Sequence, residues 1–163
     1  MSHILIAGIG NVFKGDDGFG VAVAAALAPR PLPPEVRLVD FGIRGLDLVY
    51  ALLDDCSAAI LIDAVARGEP PGTLSIIEPE PGAAEEAEAL LAPHAMDPQR
   101  VLRLAALLGG GCRQVMLVGC EPLSFGDPEF GAEGLSAPVA AAVPRAADLV
   151  EGLVRELSEK EMA

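Results

Sequence analysis

Two acidic side chains and one imidazole, Asp17, Asp63 and His94, are the residues of this sequence with the most chemistry to offer. Two carboxylates and a neutral imidazole make a hard-to-borderline donor set, suited to a divalent cation such as Ni²⁺ or Zn²⁺. Three protein ligands leave coordination positions free for water or a substrate group, as a catalytic site requires. Without a cation, two carboxylates held together share one proton, as in an aspartic dyad. Either arrangement supports hydrolysis. Taken singly, each residue has a plainer reading. Asp16 or Asp17 can cap a helix, Asp63 can satisfy loop amides, and most lone loop histidines do no chemistry. Their convergence on one edge gives them weight.

The elements that must position them read as an α/β alternation. Ile4–Gly8 is a short apolar run ended by Gly-Ile-Gly-Asn, a buried parallel strand followed by a glycine-rich loop from Gly10 to Gly20. Val21–Ala28 reads as a helix stopped by Pro29, with Asp16 or Asp17 as its cap. Val36–Asp40, Ala58–Asp63 and Gln114–Gly119 read as further strands, and Thr73–Ile77 as an antiparallel edge strand. Gly45–Leu53 and Pro98–Leu108 read as helices, the latter capped by Asp97. Ser136 caps a closing helix that runs to about Glu156. The Pro, Gly, Ala and Glu-rich stretch from Glu78 to Glu88 reads as a surface loop. Strands alternating with helices imply a three-layer, doubly wound, mostly parallel sheet with helices on both faces, of the phosphorylase/hydrolase-like kind. Ligands in such folds gather at the carboxyl ends of the strands. Asn11, Asp16 and Asp17 follow the first strand, Asp40 the second, Asp63 the third and Glu121 the fifth, with His94 in a loop before a helix.

Composition narrows the partners. The 163 residues fit a single domain spanning 1–163, and 52% hydrophobic content suffices for a core. A net charge of −13 repels a phosphate backbone and argues against nucleic acid. No apolar run approaches the ~20 residues of a membrane span, and the first residues read as a strand, so the expected location is cytoplasmic; a monomer is expected because nothing in the sequence suggests a dimer seam. Cys56, Cys112 and Cys120 are too few and too unevenly spaced for a disulfide framework, and Cys112 and Cys120 read as small buried hydrophobes. His3 reads as the solvent-facing start of a strand.

Competing motifs fail on spacing or charge. After Gly8-Ile9-Gly10 the next glycine, Gly15, arrives one residue late for a dinucleotide fingerprint, and Asp16 and Asp17 stand where a pyrophosphate needs amides. Walker A and Gly-x-Ser-x-Gly sequences are absent.

Several blocks together resemble the hydrogenase maturation proteases. They are Gly8-Ile9-Gly10-Asn11 with Gly15-Asp16-Asp17-Gly18-Phe19-Gly20, Asp40-Phe41-Gly42-Ile43-Arg44-Gly45, Ile62-Asp63-Ala64, Pro93-His94, Val118-Gly119-Cys120-Glu121-Pro122 and Gly134-Leu135-Ser136. They follow the family's order over nearly the whole chain. The resemblance implies a cytoplasmic endopeptidase that clips a C-terminal extension from a nickel–iron hydrogenase large-subunit precursor once nickel is inserted. It places Asp17, Asp63 and His94 as metal ligands and catalytic residues, the nickel being that of the substrate, with zinc or another divalent cation acceptable in vitro. Asp40, Asn11 and Asp16 are the expected substrate contacts. Ile43 departs from the family's frequent Thr. Two other readings compete: a peptidyl-tRNA hydrolase, which also opens with Gly-x-Gly-Asn but needs a basic face, and a non-catalytic nickel-binding or metallochaperone module.

Overall fold

A computed structural model describes residues 2–79 and 97–162. Among the described residues five strands form one sheet in the order β2-β1-β3-β5-β4: β1 (His3–Ile9), β2 (Val36–Gly42), β3 (Cys56–Ala64), β4 (Leu74–Ile77) and β5 (Gln114–Cys120). All neighbours pair in parallel except β4, which joins β5 antiparallel at the edge, as the sequence predicts. β1 and β3 are apolar on both faces because helices cover both faces.

Strand alternation sorts those side chains into two cores. Ile4, Ile6, Ile60, Ile62 and Val118 pack against α1 (Phe19–Leu27) and α4 (Ala137–Met162). Leu5, Ala7, Ile9, Leu61 and Leu117 pack against α2 (Gly45–Leu53) and α3 (Pro98–Leu107). In α1, Phe19, Val23 and Leu27 recur every four residues and are fully buried, each contributing roughly 1.5–3 kcal/mol. α1 lies unusually close to the sheet. A Cβ on Gly20 would collide with the backbone of Ile9 and Ile62, so only glycine permits that approach.

The chain winds from β1 to β2 on one side, then crosses back to place β3 on the other. The direction reverses between β1 and β3, and at such a switch point a crevice opens beyond the carboxyl ends of the strands. Asp17 follows β1, and Asp63 is the last residue but one of β3.

Some expectations need correction. α1 begins at Phe19, two residues before Val21, and its cap is Gly18 with no side-chain hydrogen bond. Asp16 and Asp17 sit instead in a 3₁₀ turn, Gly15–Gly18. Ser136 does not reserve its hydroxyl for α4; that hydroxyl donates to Asp16 Oδ2 at 2.8 Å. α4 continues past Glu156 to Met162, because Leu157 is still buried and Ser158 donates to Glu35 at 3.1 Å. His3 is buried, since β1 lies between β2 and β3 and even its first residue is covered. Cys56 and Cys112 form a disulfide, with Cα atoms 4.9 Å apart. The parallel register explains it. Ala58 lies opposite Gln114, so two residues earlier the two cysteines face each other at the entrances of β3 and β5. Cys120 is buried and free, as expected. Asp97 caps α3, accepting from the Gln99 N–H at 2.9 Å. Of the Glu78–Glu88 stretch, all but the first two residues lie outside the described residues.

Candidate functional site

Asp63 is placed by β3, whose apolar run ends there. It follows Leu61 on the α2/α3 face, level with Gly119 of β5. The residue is only 7% exposed. Its Oδ1 accepts the Ala64 N–H at 2.8 Å. Burial, then the nearby charge of Asp17, push its carboxyl up to about 8; the Ala64 hydrogen bond opposes the rise, and Asp97 adds to it. At neutral pH Asp63 therefore holds a proton most of the time, the behaviour of one member of a carboxyl pair.

Asp17 is placed by the 3₁₀ turn and is half-buried. Its Oδ2 accepts the Asn11 N–H at 2.9 Å. The two aspartates meet around Gly10. A Cβ built on Gly10 would strike the Asp17 carbonyl and lie 3.7 Å from Asp63 Oδ1, and the residue has φ of 139°. Glycine is required there on both counts, and its absent side chain lets the Asp17 backbone and the Asp63 carboxyl approach it from two sides. The Asn11 Oδ1 accepts the Phe13 N–H at 2.9 Å, so Asn11 holds the loop in place from both ends.

Asp16, expected to meet substrate, points inward. It is fully buried, and its carboxylate accepts from the N–H groups of Leu123 (2.8 Å), Ser124 (3.0 Å) and Ser136 (2.7 Å) and from the Ser136 hydroxyl. Burial alone would raise its pKa, but these hydrogen bonds outweigh it and hold the carboxyl below the usual range. Asp16 is thus the clamp that fastens the 123–136 segment to the turn bearing Asp17. Asp40 is exposed near the end of β2, level with Gly8. Arg44 fixes that turn, donating to the Asp40 carbonyl at 2.6 Å and standing over the Phe41 ring. Glu121 is buried but structural, accepting from the Arg67 (2.7 Å) and Gly68 (3.2 Å) N–H groups. His94 lies outside the described residues.

Asp97 is the residue that sequence reasoning left in a purely capping role. Its charge reaches Asp63 across the face that they share. The available signal was its place three residues after His94, at the start of a helix on the Asp63 side of the sheet.

Among the described residues, no three His, Cys, Asp or Glu side chains come together in a way that could hold a metal ion. The described part of the cleft offers two carboxylate donors, Asp17 and Asp63. They fit a divalent cation only with a further donor, from elsewhere in the chain or from the cation's own carrier.

Comparison with known proteins points one way. A family model described as hydrogenase maturation protease matches residues 21–153. The hydrogenase expression/formation protein HoxM of Cupriavidus necator is 38% identical over 151 residues, which cover 90% of this chain and 73% of that protein. HupD of Rhodobacter capsulatus is 36% identical over 126 residues, 77% of this chain but only 60% of that protein. The hydrogenase maturating endopeptidase HybD from E. coli superposes with a TM-score of 0.71 at 29% identity, covering 94% of this chain and 93% of that one. A hydrogenase 2 maturation peptidase from a Thaumarchaeota archaeon gives 0.66 at 33% identity, covering 91% and 95%.

Proposed function

The chain belongs to the hydrogenase maturation protease family, and from that premise we propose that it is an endopeptidase that removes the C-terminal extension of a nickel–iron hydrogenase large-subunit precursor after nickel insertion. One observation carries the reading: a half-buried carboxylate, Asp17, beside a buried and protonated carboxyl, Asp63, at the switch point of a doubly wound sheet. Such a pair does acid–base work that neither group does alone. In the same reading Asp17, Asp63 and His94 bind the nickel already carried by the substrate. That contact anchors the precursor so that its scissile peptide bond lies in the cleft. Binding of the cation expels the Asp63 proton, because a positive charge in the cleft reverses the penalty that Asp17 and burial impose. The carboxylates then orient water or the peptide carbonyl. The exposed turn carrying Asp40 and Ile43, at the end of β2, is the proposed edge along which substrates are told apart. The site of action is the cytoplasm; among the described residues no helix is long and apolar enough to cross a membrane.

Mass spectrometry of a nickel-loaded large-subunit precursor, before and after incubation with this protein, tests the proposal. The expected result is loss of one defined C-terminal tail, with no loss from nickel-free precursor. Asp63→Ala and His94→Ala should leave the precursor full length. Retained cleavage in either variant would remove that residue from the site. A peptidyl-tRNA hydrolase reading finds no support in the acidic cleft or in the net charge of −13.

A further inference from the structure

Beside the carboxylate cleft the protein displays three of its five phenylalanines on the surface: Phe13 is 68% exposed, Phe125 45% and Phe130 83%. The other two, Phe19 and Phe41, are in the cores. All three exposed rings line one groove of about 500 Å³, whose walls also include Asn11, Lys14 and Asp127. The backbone beneath them is fastened at many points. The Phe13 carbonyl accepts the Ala132 N–H at 3.0 Å, and the Ala132 carbonyl accepts the Gly15 N–H at 2.9 Å. Asp127 and Gly131 exchange two backbone hydrogen bonds, at 2.9 and 2.7 Å. The Asp127 carboxylate accepts the N–H groups of Glu129 and Phe130 at 2.8 and 2.9 Å, which holds its pKa below the usual range. Asp16 locks the root of the segment from inside. The backbone that presents the rings is therefore fixed in advance, and its ordering cost falls on folding and not on binding.

We propose that this groove is the docking surface for an extended, apolar stretch of the precursor polypeptide adjoining the bond that is cut. The inference rests on the proteolytic reading above. Continuity with the cleft supports that occupant: Asn11 lines the groove, and its own N–H holds the Asp17 carboxylate. Charge supports it as well. A chain of −13, with the charges of Asp17 and Asp97 felt at one buried carboxyl, repels an acidic segment. In the groove itself the three rings stand among one basic and two acidic side chains, Lys14, Asp127 and Glu129, and the exposed rings make apolar contact the main recognition force.

Steady-state cleavage of the nickel-loaded precursor tests this with the double variant Phe13→Ser/Phe130→Ser. Both rings are exposed, so its thermal midpoint should match that of the wild type. The expected outcome is a rise in KM of at least tenfold with kcat within about twofold. Tyr50→Ser, which removes an exposed ring from α2, should leave KM unchanged. If the wild type itself cleaves nothing, the proteolytic reading fails. If the wild type cleaves and the double variant keeps its KM, or Tyr50→Ser raises KM as much, the docking surface is refuted alone. A photo-crosslinking amino acid in place of Phe130 gives a second readout. A crosslink to an apolar precursor segment near the cut supports the proposal; one to a charged segment, or to a second copy of this chain, overturns it.

Discussion

Replacing Asp63 by asparagine should leave the protein unable to process its substrate yet more stable than the wild type. The side chain keeps its shape, and the amide oxygen can still accept the Ala64 N–H that now reaches Oδ1 at 2.8 Å. What disappears is a group that the folded state holds protonated to about pH 8, against an ordinary value of 3.8. A carboxyl raised in this way contributes its full stability only below pH 3.8, and that contribution drains away as pH rises toward 8. By pH 7 the solvent is about three pH units above the unfolded pKa. At about 1.4 kcal/mol per unit the folded state has then forfeited about 4 kcal/mol, an upper figure because local relaxation softens it. Asp63→Asn should recover most of this. Urea unfolding of metal-free protein, followed by far-ultraviolet circular dichroism at pH 4, 5.5, 7 and 8, reads the difference directly. The gap between variant and wild type should be near zero at pH 4 and widen to a few kcal/mol at neutrality. A variant no more stable than wild type at pH 7, or a gap that does not change with pH, would show that Asp63 is not held protonated by Asp17 and burial.

Two other predictions concern the scaffold around the site. Asp16→Ala leaves four partly buried donors without their acceptor and should cost about 2–3 kcal/mol. Because the Asp16 pKa lies below its ordinary value, its contribution is present above pH 3.8 and lost as pH falls through the folded value, so the gap from wild type should shrink in acid; a gap that persists at low pH would mean that packing, not ionised hydrogen bonding, is what Asp16 supplies. The Cys56–Cys112 bridge closes a 56-residue separation, worth about 4 kcal/mol of chain entropy, so Cys112→Ser should lower the thermal midpoint by about 10 °C. Reductant should lower the wild type equally and leave the variant unmoved, and a reductant effect on the variant would point away from the bridge.

How much of this was legible in the sequence depends on how far apart the partners lie. The strands were readable because Ile4–Gly8, Ala58–Asp63 and Gln114–Gly119 are apolar runs that end abruptly, and their alternation with helices fixed the sheet. Strand ends are where such a fold gathers chemistry, and there the charge of Asp17 acts on the Asp63 carboxyl. Pairings that depend on register were out of reach. The Cys56–Cys112 bridge follows from Ala58 lying opposite Gln114, and no spacing rule encodes that. The start of β1 likewise looked exposed until strands on both sides covered His3.

Asp16 and Asp17 illustrate the limit most sharply, since type and position treat two adjacent aspartates alike. Both seemed able to cap a helix or to reach a ligand. The 3₁₀ turn separates them: at three residues per turn, neighbours point about 120° apart, so both cannot face the same cleft. One must turn toward the interior, and a buried carboxylate is tolerated only where enough donors converge on it. The donors come from Leu123, Ser124 and Ser136, more than a hundred residues away. The adjacent pair thus divides into a partly exposed member, Asp17, and an anchoring member, Asp16. The anchor ties the aromatic groove to the same turn that carries Asp17, so a change in one should be felt at the other.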